Sequence, residues 1–330
     1  MFIALGLLAE GAAAQRTTSP AAKAAERLRV GDLSEAESEL RAAVDAGTSD
    51  PEAYNLLGLI CSRTNRFDQA VAYYRQALRL NPEFEPARNG LGSVYILQGN
   101  LDAALDLFEK ALKTAPEDVT AHFNIGVVLA QKGQYGEALQ SLERAHRSAP
   151  EDPVVLIWLA RLQVKTQHIP EATASLEAAL TSVAQNPRSA NRGLVHEALD
   201  VASRVRELRP SNARTSFLVA EAQYLAGDYG PAIDSLNGVG ESHRDADYFG
   251  LLGMSYAGTK RVPEAIAALS QGIALRPERT DLLFRLGTVY QGAGNNEEAL
   301  RLFKDAIAKG DDSAELQFAL ALSYFNFGNF

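Results

Sequence analysis

The sequence predicts an all-α solenoid of stacked helix-turn-helix units, on three observations. Leu57-Gly58, Leu91-Gly92, Ile125-Gly126 and Leu159-Ala160 recur every 34 residues, and Leu252-Gly253 and Leu286-Gly287 repeat the pair at the same interval. Pro82, Pro116 and Pro150 keep that spacing too. Between these marks, large apolar residues fall at i, i+3, i+4 and i+7, the stripe of an amphipathic helix. A fixed period of this size means one two-helix unit repeated. A single such unit cannot bury its own apolar faces, so neighbours must stack.

The unit starting at Pro51 supplies Tyr54, Leu57, Gly58, Ala70, Tyr74, Ala77 and Pro82. The unit at Glu85 supplies Leu91, Gly92, Tyr95, Ala104, Phe108, Ala111 and Pro116, and the unit at Thr280 supplies Leu283, Leu286, Gly287, Tyr290, Ala299, Phe303 and Ala306. These residues resemble the tetratricopeptide repeat family. Its pattern sets a large residue at position 4, Leu-Gly at 7 and 8, an aromatic at 11, Ala at 20, Phe at 24, Ala at 27 and Pro at 32. The resemblance runs from about Pro20 to the last residue and implies a right-handed superhelical solenoid. Each position has a physical reason. Small residues at 8, 20 and 27 let helix A and helix B of one unit approach, and large ones at 4, 7, 11 and 24 fill the space to the next helix. Glycine near position 15 (Gly31, Gly99, Gly133, Gly227, Gly294, Gly328) fits a left-handed residue that ends helix A. Proline at 32 cannot continue helix B.

In chain order, residues 1–15 read as an export signal. Met1 to Ala9 is almost wholly apolar, and Ala12-Ala13-Ala14 offers the small residues of a cleavage site near Ala14. Export to the periplasm or beyond the cell is the expectation. A frayed apolar tail on a cytoplasmic protein, or a start inside a longer signal, stays open, because no Lys or Arg precedes the run and Glu10 interrupts its end. Residues 16–50 hold a degenerate first unit with Gly31, Ala36, Leu40 and Ala43; its charged, alanine-rich helix A suits an N-terminal cap. Four units follow over 51–186. Residues 187–212 form an irregular junction helix: Ala198, Ala202 and Pro210 read as a helix B with no helix A before them. Arg188, Arg192, Arg204, Arg206, Arg209 and Arg214 cluster there, as a docking patch or a solvated face. Three units and a truncated last one occupy 213–330.

Composition and motifs exclude several function classes. The net charge of −9 is the reverse of the basic excess that a nucleic-acid binder usually shows, so no nucleic-acid partner is expected. No run of about 18 apolar residues is present, so an integral membrane protein is not expected. Cys61 is the one cysteine, which excludes an internal disulfide and any multi-cysteine metal site. His122, His146, His168, His196 and His243 form no paired metal motif. Gly292-Ala293-Gly294 lacks the Lys-Ser/Thr of a phosphate loop and reads as the turn between two helices. Glu137, Glu171, Glu264 and Glu298 open helix B and meet the positive end of its dipole. No enzyme activity, cofactor or metal is therefore expected.

The resemblance implies that helix A lines a concave groove, with positions 5, 9 and 13 facing a protein or peptide partner. The candidate groove residues are Asn55, Arg63, Asn89, Ser93, Phe123, Val127, Ile157, Arg161, Lys165, Phe217, Phe284 and Phe318. Asn55 and Asn89 offer amides to a peptide backbone, Phe123, Val127 and Ile157 an apolar patch, and Arg161 and Lys165 two cations. Some family members clamp a chaperone's acidic tail. Asn124 fits that clamp, but Asn89, Ser93, Val154 and Trp158 stand where its other members are required. The leading expectation is an interaction scaffold. Two alternatives are a docking array of a larger enzyme, such as a glycosyltransferase, continuing past Phe330, and self-association through the open C-terminal end.

Overall fold

The structure, a computed structural model, describes residues 19–185 and 192–326. The expected export signal, Arg188, Phe327, Gly328 and Phe330 lie outside the described residues. Within them the chain forms 18 α-helices, one short 3-10 turn and no strand. It divides into two compact units, residues 1–149 and 150–330.

The first unit contains four helix pairs: α1 (Pro20–Arg29) with α2 (Leu33–Asp45), α3 (Pro51–Arg63) with α4 (Phe67–Leu80), α5 (Glu85–Leu97) with α6 (Leu101–Thr114), and α7 (Val119–Gln131) with α8 (Tyr135–Ser148). Two helix A starts are capped by aspartates: Asp50 accepts from the Glu52 amide at 3.0 Å and Asp118 from the Ala121 amide at 3.0 Å, whereas Phe84 before α5 offers no side-chain cap. At the other end the chain turns through a left-handed residue. Gly31, Gly99 and Gly133 take φ of +88°, +73° and +79°, and Asn65 holds the equivalent place at +58°. The next amide then reaches back five residues, Arg66 to the Cys61 carbonyl and Asn100 to the Tyr95 carbonyl, both at 2.8 Å. Position 15 is thus a backbone requirement that glycine meets without strain and asparagine meets tolerably.

In the second, third and fourth pairs the glycine at position 8 faces the large residue at 24. A Cβ on Gly58 would stand 2.7 Å from Tyr74 Cδ1, one on Gly126 would stand 2.8 Å from Leu142 Cγ, and one on Gly92 would enter the Phe108 ring. The core of the first two pairs joins Ala24, Ala36, Leu40, Ala53, Leu57 and Ile60. Neighbouring pairs are also tied by charge, since Arg66 donates twice to Glu37 at 2.7 Å and Arg41 donates to the same carboxylate.

The second unit contains α9 (Pro153–Lys165), α10 (Ile169–Gln185), α11 (Arg192–Leu208), α12 (Ala213–Ala226), α13 (Tyr229–Asn237), α14 (Ala246–Gly258), α15 (Val262–Leu275), α16 (Thr280–Gly292), α17 (Asn296–Ala308) and α18 (Ala314–Asn326). α11 is regular over 17 residues. Its Ala198, Val201, Ala202 and Val205 share one core with Leu156 and Ile157 of α9, Leu176 and Leu180 of α10, and Leu218 and Val219 of α12. Gly227 and Gly294 close helix A here, and Gln167 and Lys260 adopt the same left-handed turn at φ +66° and +62°.

Candidate peptide-binding groove

In the first unit the helix A stripe is small and amide-rich. Asn89, on α5, donates to Glu85 Oε1 at 3.2 Å and accepts from Asn124 Nδ2 of α7 at 3.2 Å. One amide hydrogen bond therefore joins neighbouring repeats at this point of the stripe. Ser93 and Arg63 are exposed, Phe123 is half-buried, and Leu97 stands 66% exposed at the end of the stripe. Asn55 and Val127 are buried, so they belong more to the packing between helices than to an open surface. His122 is buried with Nε2 2.8 Å from the Pro116 carbonyl, which ties the start of α7 to the preceding loop. Cys61 is buried, and burial pushes its thiol up, away from the thiolate a nucleophile needs.

In the second unit the candidate residues separate. Ile157 is wholly buried in the core shared by α9 to α12 and lines no open surface. The reason is that α11 packs over the α9 face that a groove would leave open. Arg161 lies over the Trp158 ring at 5.0 Å and pairs with Glu197 of α11 at 3.4 Å, while Lys165 is exposed. Phe284 is half-buried with its ring 5.9 Å from Phe303, so it fills the α16–α17 pair. Phe318 is 71% exposed on α18.

Phe217 is the candidate placed in a cleft with charged side chains from neighbouring repeats. It lines a cleft of about 270 Å³ walled by α10, α12, α14 and the start of α16. Gly250 forms part of its wall, where a Cβ would stand 2.8 Å from Leu282 Cδ2, so glycine here lets α14 approach α16. Arg214 donates to Glu177 Oε1 at 2.6 Å with its guanidinium 5.2 Å from the Phe217 ring centroid. Arg279 donates to both oxygens of Asp281, at 2.7 and 2.9 Å, and to Asp247 at 2.9 Å. These bonds raise the Arg279 guanidinium above its ordinary value, those from Asp281 most. Burial works to raise Asp281, but Arg279 outweighs it and holds that carboxyl below its usual range. Arg285 lies 3.9 Å from Asp281.

Glu221 sits among these groups without a hydrogen bond or ion pair among the described residues. Its carboxyl is pushed up to about 7. Burial is the main cause; Glu177 and Asp247 add to it, and Arg214 and Arg285 oppose it. Glu221 lies one helical turn beyond Phe217 on the same stripe, while Asp247, Arg279, Asp281 and Arg285 are not among the candidate groove residues read from the sequence. The signal was available. Arg214, Asp247 and Asp281 hold position 2 of their units and Arg285 holds position 6, on the face that positions 5 and 9 share.

Two models of the tetratricopeptide repeat match this sequence, one over residues 21–83, 62–119 and 89–153, the other over 129–191 and 257–329. The chain belongs to the tetratricopeptide repeat family. A comparison with curated proteins gives no match. Among solved structures, a chain of the APC/C hetero-tetramer Cut9-Hcn1 is similar at 15% identity and a TM-score of 0.38 over 89% of this chain. This chain spans 59% of the length of that one. A thermophilic repeat protein of Thermus thermophilus is similar at 23% identity, covering 63% of this chain and 99% of its own, with a TM-score of 0.39. A repeat protein from Parabacteroides merdae gives 17% identity, 83% and 98% coverage, and a TM-score of 0.38.

Proposed function

We propose that this protein is a non-enzymatic scaffold that holds a peptide segment of a partner protein along its helix A faces, and that it works after export, in the cell envelope or outside the cell. The observation that carries this reading is the convergence of helix A side chains from successive repeats on one cleft, with Phe217 and Glu221 from α12, Asp247 from α14 and Arg285 from α16. Aromatic and charged groups gathered in a concavity are the usual equipment of a recognition site, whereas single exposed apolar residues are ordinary. Among the described residues no group of His, Cys, Asp and Glu is arranged to hold a metal, and no helix is long and apolar enough to cross a membrane.

The test is site-specific photocrosslinking in the source cell. A benzophenone side chain at Ser93 or Phe217 should capture a discrete partner, and one at the exposed helix B positions Glu109 and Lys304 should not. Equal capture from both faces would remove the groove from the proposal. For export, the mature chain should begin at or near Gln15; an intact Met1 in a soluble cytoplasmic pool would end that part of it.

A further inference from the structure

The cleft beside Phe217 is unbalanced in a way that selects its occupant. Its arginines are largely committed: Arg214 to Glu177, and Arg279 to Asp281 and Asp247. Arg285, 3.9 Å from Asp281, faces a carboxylate that Arg279 already holds through both oxygens. Glu221 alone among the acids of this cleft has neither an ion pair nor a hydrogen bond among the described residues. An entering anion could draw on Arg285, 3.9 Å from Asp281, only while lying among the carboxylates of Glu221, Asp247 and Asp281. An entering cation would pair with Glu221 and leave every existing bridge intact. The walls supply the rest: Phe217, Tyr224 and Leu225 offer apolar surface along which a methylene stem can lie while its charged head reaches the carboxylate.

We propose that this cleft receives one basic side chain, lysine or arginine, of the bound segment, with Glu221 as its counter-charge. The inference rests on the groove reading above and names the chemistry of one subsite within it. It carries a pH signature, because only ionised Glu221 pairs with a cation. The charged groups facing it are Arg214 on its own helix, Glu177 on α10, Asp247 on α14 and Arg285 on α16. With its carboxyl at about 7 in the empty cleft, the competent fraction rises about tenfold between pH 6 and pH 8.

The experiment uses the full chain and n-butylammonium as a lysine side-chain probe, with n-butanol and butyrate as controls, followed by carboxyl NMR of Glu221. The expected result is saturable binding of n-butylammonium alone, about tenfold tighter at pH 8 than at pH 6, a Glu221 titration moved to lower pH, and loss of binding in Glu221→Gln with unchanged helix content. Binding that persists in Glu221→Gln, or no response of the Glu221 carboxyl at saturating probe, would overturn the proposal. Preferential binding of butyrate would overturn it too and assign the cleft to an acidic group. None of these outcomes touches the photocrosslinking test, so the subsite can fail while the groove stands.

Discussion

In the first unit α5 and α7 meet through Asn89 and Asn124, two amides joined by a hydrogen bond beside an exposed Ser93. In the second, α12, α14 and α16 meet around three arginines and four carboxylates, one of which has no partner among the described residues. Both places use the same helix A backbone and the same register. The difference lies in positions 2, 5, 6 and 9. Neutral amides there bond one another and their own helix, and charges leave a remainder once the geometry has paired as many as it can. A glycine at position 5, Gly250, then brings the helices close enough for that remainder to be shielded from water. In a repeat protein the fold is thus set by positions 8, 15, 20, 24 and 27, and what differs between one groove and another lives on the remaining face of helix A.

The largest expected effect lies in the shared frame, not in the grooves. Gly92→Leu in the first unit drives a branched side chain into the Phe108 ring and should cost about 1–3 kcal/mol or more. Leucine at Ser93, one residue on and exposed, should change stability by less than about 0.5 kcal/mol. Urea unfolding followed by circular dichroism compares the two. An unchanged midpoint for Gly92→Leu would show that the helices of a pair do not meet at position 8.

The next effect separates the two regions by pH. Glu221 has a folded value near 7 against about 4.5 for an ordinary glutamate. Below the lower value the carboxyl is protonated in both states and contributes nothing. As pH rises from there toward 7 the unfolded chain releases the proton and the folded chain keeps it, so stability falls; above 7 the penalty is constant. For a partly wetted group the loss should be about 1–2 kcal/mol. Trp158, the one tryptophan, lies in the second unit and reports its unfolding by fluorescence. The wild type should be less stable at pH 8 than at pH 5, and Glu221→Gln should lose most of that slope. Equal slopes would mean that water reaches the carboxylate freely.

Much of the frame was legible in the sequence because its physics is steric and local. A glycine opposite a phenylalanine, a left-handed turn and a proline stop leave the same residues at the same interval each time. Even so, the turn at position 15 was read only where it was glycine; Asn65, Gln167 and Lys260 make the same turn with side chains, and composition alone does not flag them. The cleft was half-legible. Phe217 and Glu221 fall on the stripe, but Arg279 precedes helix α16, and its bridges to Asp281 and Asp247 depend on how adjacent repeats stack. Ile157 illustrates the converse: it sits at a groove position by register, yet α11 covers it, because residues 192–208 depart from the repeat and occupy its open face.

The smallest effect concerns charge within the first unit, and it runs with pH in the opposite sense to Glu221. Arg66 reaches from the α3–α4 turn to hold Glu37 of α2 through both carboxylate oxygens, and Arg41 adds a bond from the same helix. The Arg66 hydrogen bond above all pulls the Glu37 carboxyl down to about 2. A depressed carboxyl contributes stability that is complete above its unfolded value near 4.5 and is lost as pH falls through about 2. The carboxylate is 19% exposed and the guanidinium 33%, so water screens the pair and its contribution should be about 0.5–1 kcal/mol. Glu37→Gln should therefore lower the stability of the first unit modestly at pH 7 and not at pH 2. Arg66→Lys, which keeps the charge but gives up the two-pronged geometry, should fall between the wild type and Glu37→Gln. Native-state hydrogen exchange at the α2 and α3 amides resolves a difference of this size within one unit. If the exchange rates of Glu37→Gln match the wild type at pH 7, the bridge adds nothing to the stacking of the first two repeats, and their alanine- and leucine-lined core carries that contact by itself.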